Sequence, residues 1–387
     1  MPSVALGRYG WALVLNSRLS GSATAILIIL RPMLDLFYRR TNRSRLLVSV
    51  VVTWDTTMAL LTALLAFPLT LALTRFFMSY NLSKGISGVD VHKVDKPRIP
   101  EMCGASIPIV LVALALVESM VQPEHLLPLI AFASVVGATA LVGALDDRVS
   151  MRGRYKPALA LLCGLPIVIL GLFNPGMVYN STLRVPLFGG FHLPLIYPLA
   201  ILVAVSVTTN TTNMLDPLNG TMAGGVAIIC SGIVIGLLVS DSGTLPIFLA
   251  TSLLFACLGF FYFNKYPSRA FSGNVGQLAI GGALGSMAIL GRIEIATIVA
   301  MFPHIQNSFF FLSRIKRFAE HKEITAKPTR LQPDGRLAST SNPEAPLTLV
   351  RTMLAGRPAP EKDVVSSIFA LFLFSSVLAL TTILLTR

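Results

Sequence analysis

Apolar residues run in long stretches over most of the chain, near 54–78, 104–121, 126–145, 157–173, 194–212, 222–240, 245–263, 274–290, 293–312 and 365–386. About 20 predominantly apolar residues let a helix cross the hydrocarbon core of a bilayer. No stretch alternates apolar and polar positions as barrel strands do, so helices are the spanning structure this pattern predicts. The expected fold is an all-α membrane protein, a polytopic bundle of about ten transmembrane helices over residues 46–387.

The polar interruptions fall into two alternating sets. Loops 79–103, 146–157, 208–222, 263–275 and 313–364 together carry 20 Lys and Arg, whereas 121–126, 173–193, 239–246 and 290–294 carry 2. Lys and Arg concentrate in cytoplasmic loops, so the first set is expected in the cytoplasm and the protein in the cell membrane. Residues 1–45 fit this count poorly. They hold Arg8, Arg18, Arg31, Arg39, Arg40, Arg43 and Arg45 on what would be the outer side. This N-terminal arm either places a helix near 23–37 in the membrane interface or reflects a start assigned too far upstream.

Composition agrees with the pattern. Of 387 residues 54% are hydrophobic and 13% charged, where a soluble domain carries about 25% charged residues. The formal net charge of +13 is the usual loop excess of a membrane protein. It lacks the basic face interleaved with aromatics that nucleic-acid binding would need. Cys103, Cys163, Cys230 and Cys257 are scattered singly, so neither a metal site nor a disulfide framework is expected. The first 20 residues lack the apolar core and small-residue site of a cleavable signal peptide.

Four polar clusters all fall on the expected cytoplasmic face. The pair Asp146-Asp147 ends a span and is followed by Arg148, Arg152, Arg154 and Lys156. Adjacent carboxylates repel, so a divalent metal or these cations must hold both ionised. Two solvated acids at a helix end are the plainer reading. Next, Asn210, Asn213 and Asp216 recur every three residues, which puts them on one face if the helix continues. Pro217, Asn219 and Gly220 follow. So many polar groups after an apolar run are costly unless they line a cavity or bond between helices.

The tract Asn264–Gly276 offers cations, aromatics and a Gly-flanked entry to the next span, where helix N–H groups can meet an anion. It could equally be a tight turn. Residues 88–104 pack acids, Lys, Gly and Pro into one loop, where lone His92 reads as a loop residue and not a ligand. The long loop 313–364 reads as a lid or a linker.

In order, DKPRIPEMCG (95–104), DDRVSMRGRYK (146–156), NTTNMLDPLNG (210–220) and NKYPSRAFSGN (264–274) resemble the polyprenyl-phosphate N-acetylhexosamine-1-phosphate transferases. The resemblance covers roughly residues 55–386. YPSR (266–269), and the absence of a three-histidine loop, favour the branch that makes N-acetylglucosaminyl-diphospho-dolichol at the start of N-glycosylation, in its archaeal form. It implies transfer of N-acetylglucosamine-1-phosphate, or a related sugar phosphate, from a UDP-N-acetylhexosamine to a polyprenyl or dolichyl phosphate. UMP is released at a cytoplasmic-face active site. Mg²⁺ is the implied cofactor, with Mn²⁺ an alternative, and a homodimer is an allowed state.

By the same resemblance Asp146 and Asp147 are the catalytic acidic pair and Lys156 holds the diphosphate. Asn213 and Asn274 hold the metal, Asn219 and Phe271 the uracil, and Glu101 the sugar. Asn210 and Arg269 join the substrate-binding set. Lys327 and Arg330, in AKPTRL, look like the remnant of a basic motif for the sugar. The family has an aspartate where this chain has Asn274, and Asp216 is expected to compensate as a further metal ligand. The competing readings are the same reaction on another UDP-amino sugar or on undecaprenyl phosphate, a catalytically impaired regulatory paralogue, and a transporter. Transporters usually show repeated halves and midplane polar sites, and neither is visible here.

Overall fold

A computed structural model describes residues 53–153, 155–315 and 324–386. The N-terminal arm, its expected helix near 23–37, and Arg154 lie outside the described residues. What is described is a helical membrane bundle with three short two-stranded hairpins.

Helices α1 (Trp54–Leu64) and α2 (Ala66–Ser83) form one apolar rod, entered through Thr53, whose hydroxyl accepts the Thr56 N–H at 3.2 Å. Strands β1 (Ser87–Val89) and β2 (Arg98–Pro100) pair antiparallel, Ser87 opposite Pro100. Then come α3 (Ser106–Val121), α4 (Leu126–Val149) and the consecutive α5 (Tyr155–Leu162) and α6 (Leu165–Phe173). The hairpin β3 (Thr182–Val185) and β4 (Gly189–His192) leads to α7 (Tyr197–Met214). Next are α8 (Thr221–Val239), α9 (Thr244–Asn264) and α10 (Gly273–Leu290). Helices α11 (Glu294–Ala300) and α12 (Phe302–Ile315) meet at a 65° bend. Strands β5 (Thr329–Leu331) and β6 (Leu337–Ser339), α13 (Leu349–Met353) and α14 (Glu361–Thr386) complete the chain.

Each of the ten apolar stretches is helical, but they do not make ten equivalent spans. Among the described residues, eight helices are long and apolar enough to cross a membrane, and nine if the bent pair counts as one. Helix α7 is not among them. Its last turns, Thr208 to Met214, are Thr- and Asn-rich and dilute an otherwise apolar helix.

Helix α10 organises the bundle, with α4 and α7 packed along it. It is 89% buried, against 39% for α14 and 28% for the α1–α2 rod, whose remaining surface is apolar and suited to lipid. Close approach to α4 depends on Gly143. A β-carbon there would lie 2.3 Å from the Asn274 carbonyl oxygen, so any side chain would wedge the two helices apart. Gly273 opens α10 at φ +64°, a left-handed conformation that L side chains rarely adopt. Small residues therefore bring the end of α4 against the start of α10.

Candidate active site

The start of α10 has free backbone N–H groups, as every helix start does, and they need acceptors. They find one on α4. Asp147 Oδ1 accepts the Asn274 backbone N–H at 2.8 Å and its side-chain Nδ2 at 2.9 Å, and Oδ2 accepts the Val275 N–H at 3.0 Å. The helix N-terminus expected to be available to an anion is thus occupied by a carboxylate of this same chain. A cap of this kind is worth about 1 kcal/mol.

Asp146, one residue earlier on α4, has other partners. Its Oδ2 lies 2.6 Å from Lys156 Nζ on α5, both side chains at most 4% exposed, and its Oδ1 accepts the Met151 N–H at 2.8 Å. The two adjacent acids therefore have different partners. One is held by a cation, the other by amides.

Asp216 departs from expectation. Helix α7 ends at Met214, so Asp216 is not on the face shared by Asn210 and Asn213. It sits in the following turn, where its Oδ2 accepts from Ser272 Oγ and Gln277 Nε2, each at 2.7 Å. Burial pushes its pKa up to about 6, against the lowering effect of bonds from Ser272, Gln277 and the Met222 backbone. Asp147, Asp216 and Asn274 thus meet at the first turn of α10, and the Asp146–Lys156 pair lies one residue back along α4. Asn213, half-buried in the last turn of α7, has no side-chain hydrogen-bond partner among the described residues.

A second group gathers on the β1–β2 hairpin. The backbone of Phe271 and Ser272 runs beside 100–104, through Phe271 N to Pro100 O (2.9 Å), Cys103 N to Phe271 O (3.0 Å) and Gly104 N to Ser272 O (3.0 Å). A β-carbon on Gly88 would meet the Phe271 ring at 3.2 Å and Glu101 Oε2 at 3.4 Å, so Glu101 and Phe271 are neighbours. Asn219 is buried, with its Nδ2 on Asp90 Oδ2 at 2.9 Å and its backbone N–H on Glu361 Oε1 at 2.9 Å. Lys93 joins Asp90 and Glu361. Burial lowers its pKa, but the bonds to Glu361 and Asp90 outweigh that and raise it overall.

Other expected residues go elsewhere. Arg269 is exposed and folds back on its own tract, donating to the Tyr262 carbonyl at 3.1 Å and lying 5.1 Å from the Tyr262 and Phe263 ring centres. Asn210 donates to the Ser206 carbonyl one turn earlier at 2.8 Å, and Ser206 in turn reaches Pro157 O on α5. Lys327 and Arg330 are exposed on or beside the β5–β6 hairpin, and a β-carbon on Gly335 at its tip would lie 3.9 Å from Val94.

Sequence reasoning missed Ser272, Gln277 and Asn307. Asn307 on α12 is buried, donating to Met214 O and accepting from Leu349 N, each at 2.9 Å. It ties the end of α7 to the segment before α14. The available signal was an amide, Gln277 or Asn307, inside each of two largely apolar stretches.

Comparison with known proteins places this arrangement. Residues 129–292, which include Asp146, Asp147, Lys156, Asp216, Asn219, Phe271 and Asn274, match the family described as glycosyl transferase family 4. This region is similar to glycosyl transferase family 4. A Methanocaldococcus jannaschii protein provisionally named as a glycosyltransferase is 29% identical over 319 residues, 82% of this chain and 94% of the relative. A Saccharolobus solfataricus protein provisionally named as a UDP-N-acetylglucosamine–dolichyl-phosphate N-acetylglucosaminephosphotransferase is 29% identical over 222 residues, 56% of this chain and 66% of the relative. The phospho-N-acetylmuramoyl-pentapeptide-transferase of Thermodesulfovibrio yellowstonii is 31% identical over 215 residues, 46% of this chain and 58% of the relative. The chain is therefore a multi-pass membrane transferase of the glycosyl-1-phosphate type.

Proposed function

We propose that this transferase moves N-acetylglucosamine-1-phosphate from UDP-N-acetylglucosamine to dolichyl or a related polyprenyl phosphate, with UMP as the leaving group. The observation that carries this reading is the meeting of Asp147, Asp216 and Asn274 at the start of α10, with the Asp146–Lys156 pair one residue back along α4, beside the hairpin that gathers Glu101, Phe271 and Asn219. The names of the Saccharolobus relative and of a similar Sulfolobus acidocaldarius protein support the substrates. The Lys and Arg excess in the loops on this side supports a cytoplasmic face, where UDP-sugars are found.

The donor set suits a divalent cation. Among the described residues no three acids or other ligating side chains form a closed metal cage. Asp147 and Asp216 are hydrogen-bonded through N–H and O–H donors yet keep unused lone pairs, and the Asn213 amide is unengaged. Mg²⁺ typically takes one or two carboxylates and fills its shell with water and substrate phosphates. Asp147, Asp216 and Asn213 would hold it, and when bound it would neutralise charge on the diphosphate.

An oxygen of the lipid phosphate forms a bond to the sugar-bound phosphorus, and the bond from that phosphorus to the UMP oxygen breaks. Lys156, fixed by Asp146, offsets negative charge building on the diphosphate. Asp146 orients the acceptor phosphate and keeps it deprotonated. Phe271 stacks on the pyrimidine and Glu101 meets the sugar end.

The test is released UMP from purified protein given Mg²⁺, dolichyl phosphate and a panel of UDP-sugars. UMP should appear with UDP-N-acetylglucosamine only when lipid phosphate and Mg²⁺ are both present. If no UDP-N-acetylhexosamine yields UMP with either dolichyl or undecaprenyl phosphate, this reading is wrong.

A further inference from the structure

The mechanism above leaves one buried polar assembly without a task. Asp90 follows β1, Lys93 lies in the next turn, and Glu361 is the first residue of α14, 268 positions further along the chain. Lys93 Nζ donates to the Glu361 carboxylate, stands 3.3 Å from Asp90 Oδ2 and lies 4.4 Å from the centre of the Tyr266 ring. All of this closes on Asn219. Glu361 fixes its backbone N–H and Asp90 its side chain, with Asp90, Asn219 and Glu361 each no more than 7% exposed.

A terminal amide has a donor end and an acceptor end of nearly the same shape. Packing alone distinguishes them poorly, so a charged partner decides. An ionised carboxylate only accepts, so the NH₂ end of Asn219 must face Asp90. The Oδ1 end is then turned away, and it has no hydrogen-bond partner among the described residues. Lys93 contacts both Asp90 and Glu361 and so holds the Asp90 carboxylate in place, and turning the amide over would set its oxygen against that carboxylate. The Phe271 ring rests on Gly88, two residues before Asp90. The stacking ring and the amide are therefore supported by the same hairpin.

We infer that Asp90, Lys93 and Glu361 are positioning residues that present the Asn219 carbonyl oxygen to the nucleobase, and so select a pyrimidine carrying a ring N–H, uracil over cytosine. This rests on the role of Asn219 proposed above. At the position where uracil offers N3–H, cytosine offers a lone pair, which would oppose Oδ1. The second Asn219 N–H remains to donate to a uracil carbonyl.

The experiment measures binding of UDP and CDP to the purified full chain by calorimetry, which needs no turnover, with KM and kcat for the UDP-sugar measured alongside. Asp90→Asn gives residue 219 a partner that can present either an oxygen or an NH₂ group. UDP should bind about tenfold more weakly, CDP should change by less than about twofold, and the loss should fall on KM more than on kcat. Glu361→Gln, nearly isosteric, should shift the UDP-to-CDP preference the same way, and Asp90→Glu should recover part of it. Asn219→Ala separates the two ideas. If it loses UDP affinity while Asp90→Asn and Glu361→Gln keep the wild-type preference, the positioning role is overturned and the base-reading role stands. If Asn219→Ala binds UDP normally, the base-reading role falls and the positioning role with it. Thermal unfolding of each variant identifies any that fail to fold, and the nearly isosteric Glu361→Gln then decides.

Discussion

Two buried polar clusters meet on one side of this bundle, and they handle charge in opposite ways. Around the start of α10 stand three carboxylates, of which Asp146 is paired with Lys156 while Asp147 and Asp216 are held only by N–H and O–H groups. On the β1–β2 hairpin two carboxylates, Asp90 and Glu361, both contact Lys93, and the remaining polar partner is a neutral amide. Dipoles orient a carboxylate without cancelling its charge. The first cluster is therefore left net negative in a poorly solvated place, which favours an incoming cation. The second fixes a hydrogen-bonding direction, which suits a neutral base. Two carboxylates stand without a cation where a metal would enter, whereas both carboxylates touch a lysine where shape is read.

The sharpest way to break this contrast is to neutralise one acid in each cluster. Asp146→Asn should lower turnover about 10³-fold, and because Lys156 would lose a buried ionic partner it should also cost about 3–5 kcal/mol in stability. Glu361→Gln should cost less than about tenfold in turnover at saturating donor. Steady-state kinetics on both, with denaturant midpoints, gives the answer. Equal losses would mean that the clusters do not divide the work.

Asn274 offers a smaller and more informative change. Its Nδ2 donates to Asp147 Oδ1, so Asn274→Asp replaces a donor by a second carboxylate at 2.9 Å. Without metal that repulsion should destabilise the protein by about 1–3 kcal/mol. Mg²⁺ should restore the loss and bind more tightly than in the wild type, because the new carboxylate adds a charged ligand. The measurement is the melting temperature with EDTA and with millimolar Mg²⁺. A variant that melts lower by the same amount in both would show that no divalent cation is drawn to this turn.

The order of polar tracts along the chain was enough to expect that they meet, because apolar stretches of this length force each tract to one membrane face or the other. What the tracts do to one another was harder to see. An N-cap is ordinarily sought in the residue before the helix, here Ser272, yet Ser272 donates to Asp216 and the cap comes from Asp147, more than 120 residues earlier. Glu361 reads as an acid at the water-facing end of an apolar helix, and nothing local shows that it turns inward to Asn219. The three-residue spacing of Asn210, Asn213 and Asp216 suggested one helical face, but α7 stops at Met214. Pattern locates the elements. Partners set by tertiary contact have no periodicity to read.

Asp216 tests whether the negative cluster recruits its cation jointly or through Asp147 alone. Its carboxylate reaches the site through α10, by Ser272 and Gln277, and these two also bond each other at 3.0 Å. Removing it in Asp216→Ala leaves both with a partner, so the stability loss should stay near 1 kcal/mol. If Asp216 supplies the charge that Asn274 lacks, the Mg²⁺ concentration for half-maximal turnover should rise about tenfold, with little change in kcat at saturating metal. Glu361→Gln, in the charge-paired cluster, should leave that concentration unmoved. An Asp216→Ala variant with the wild-type Mg²⁺ titration would assign the metal to Asp147 and Asn213, and would make Asp216 a brace for the first turn of α10.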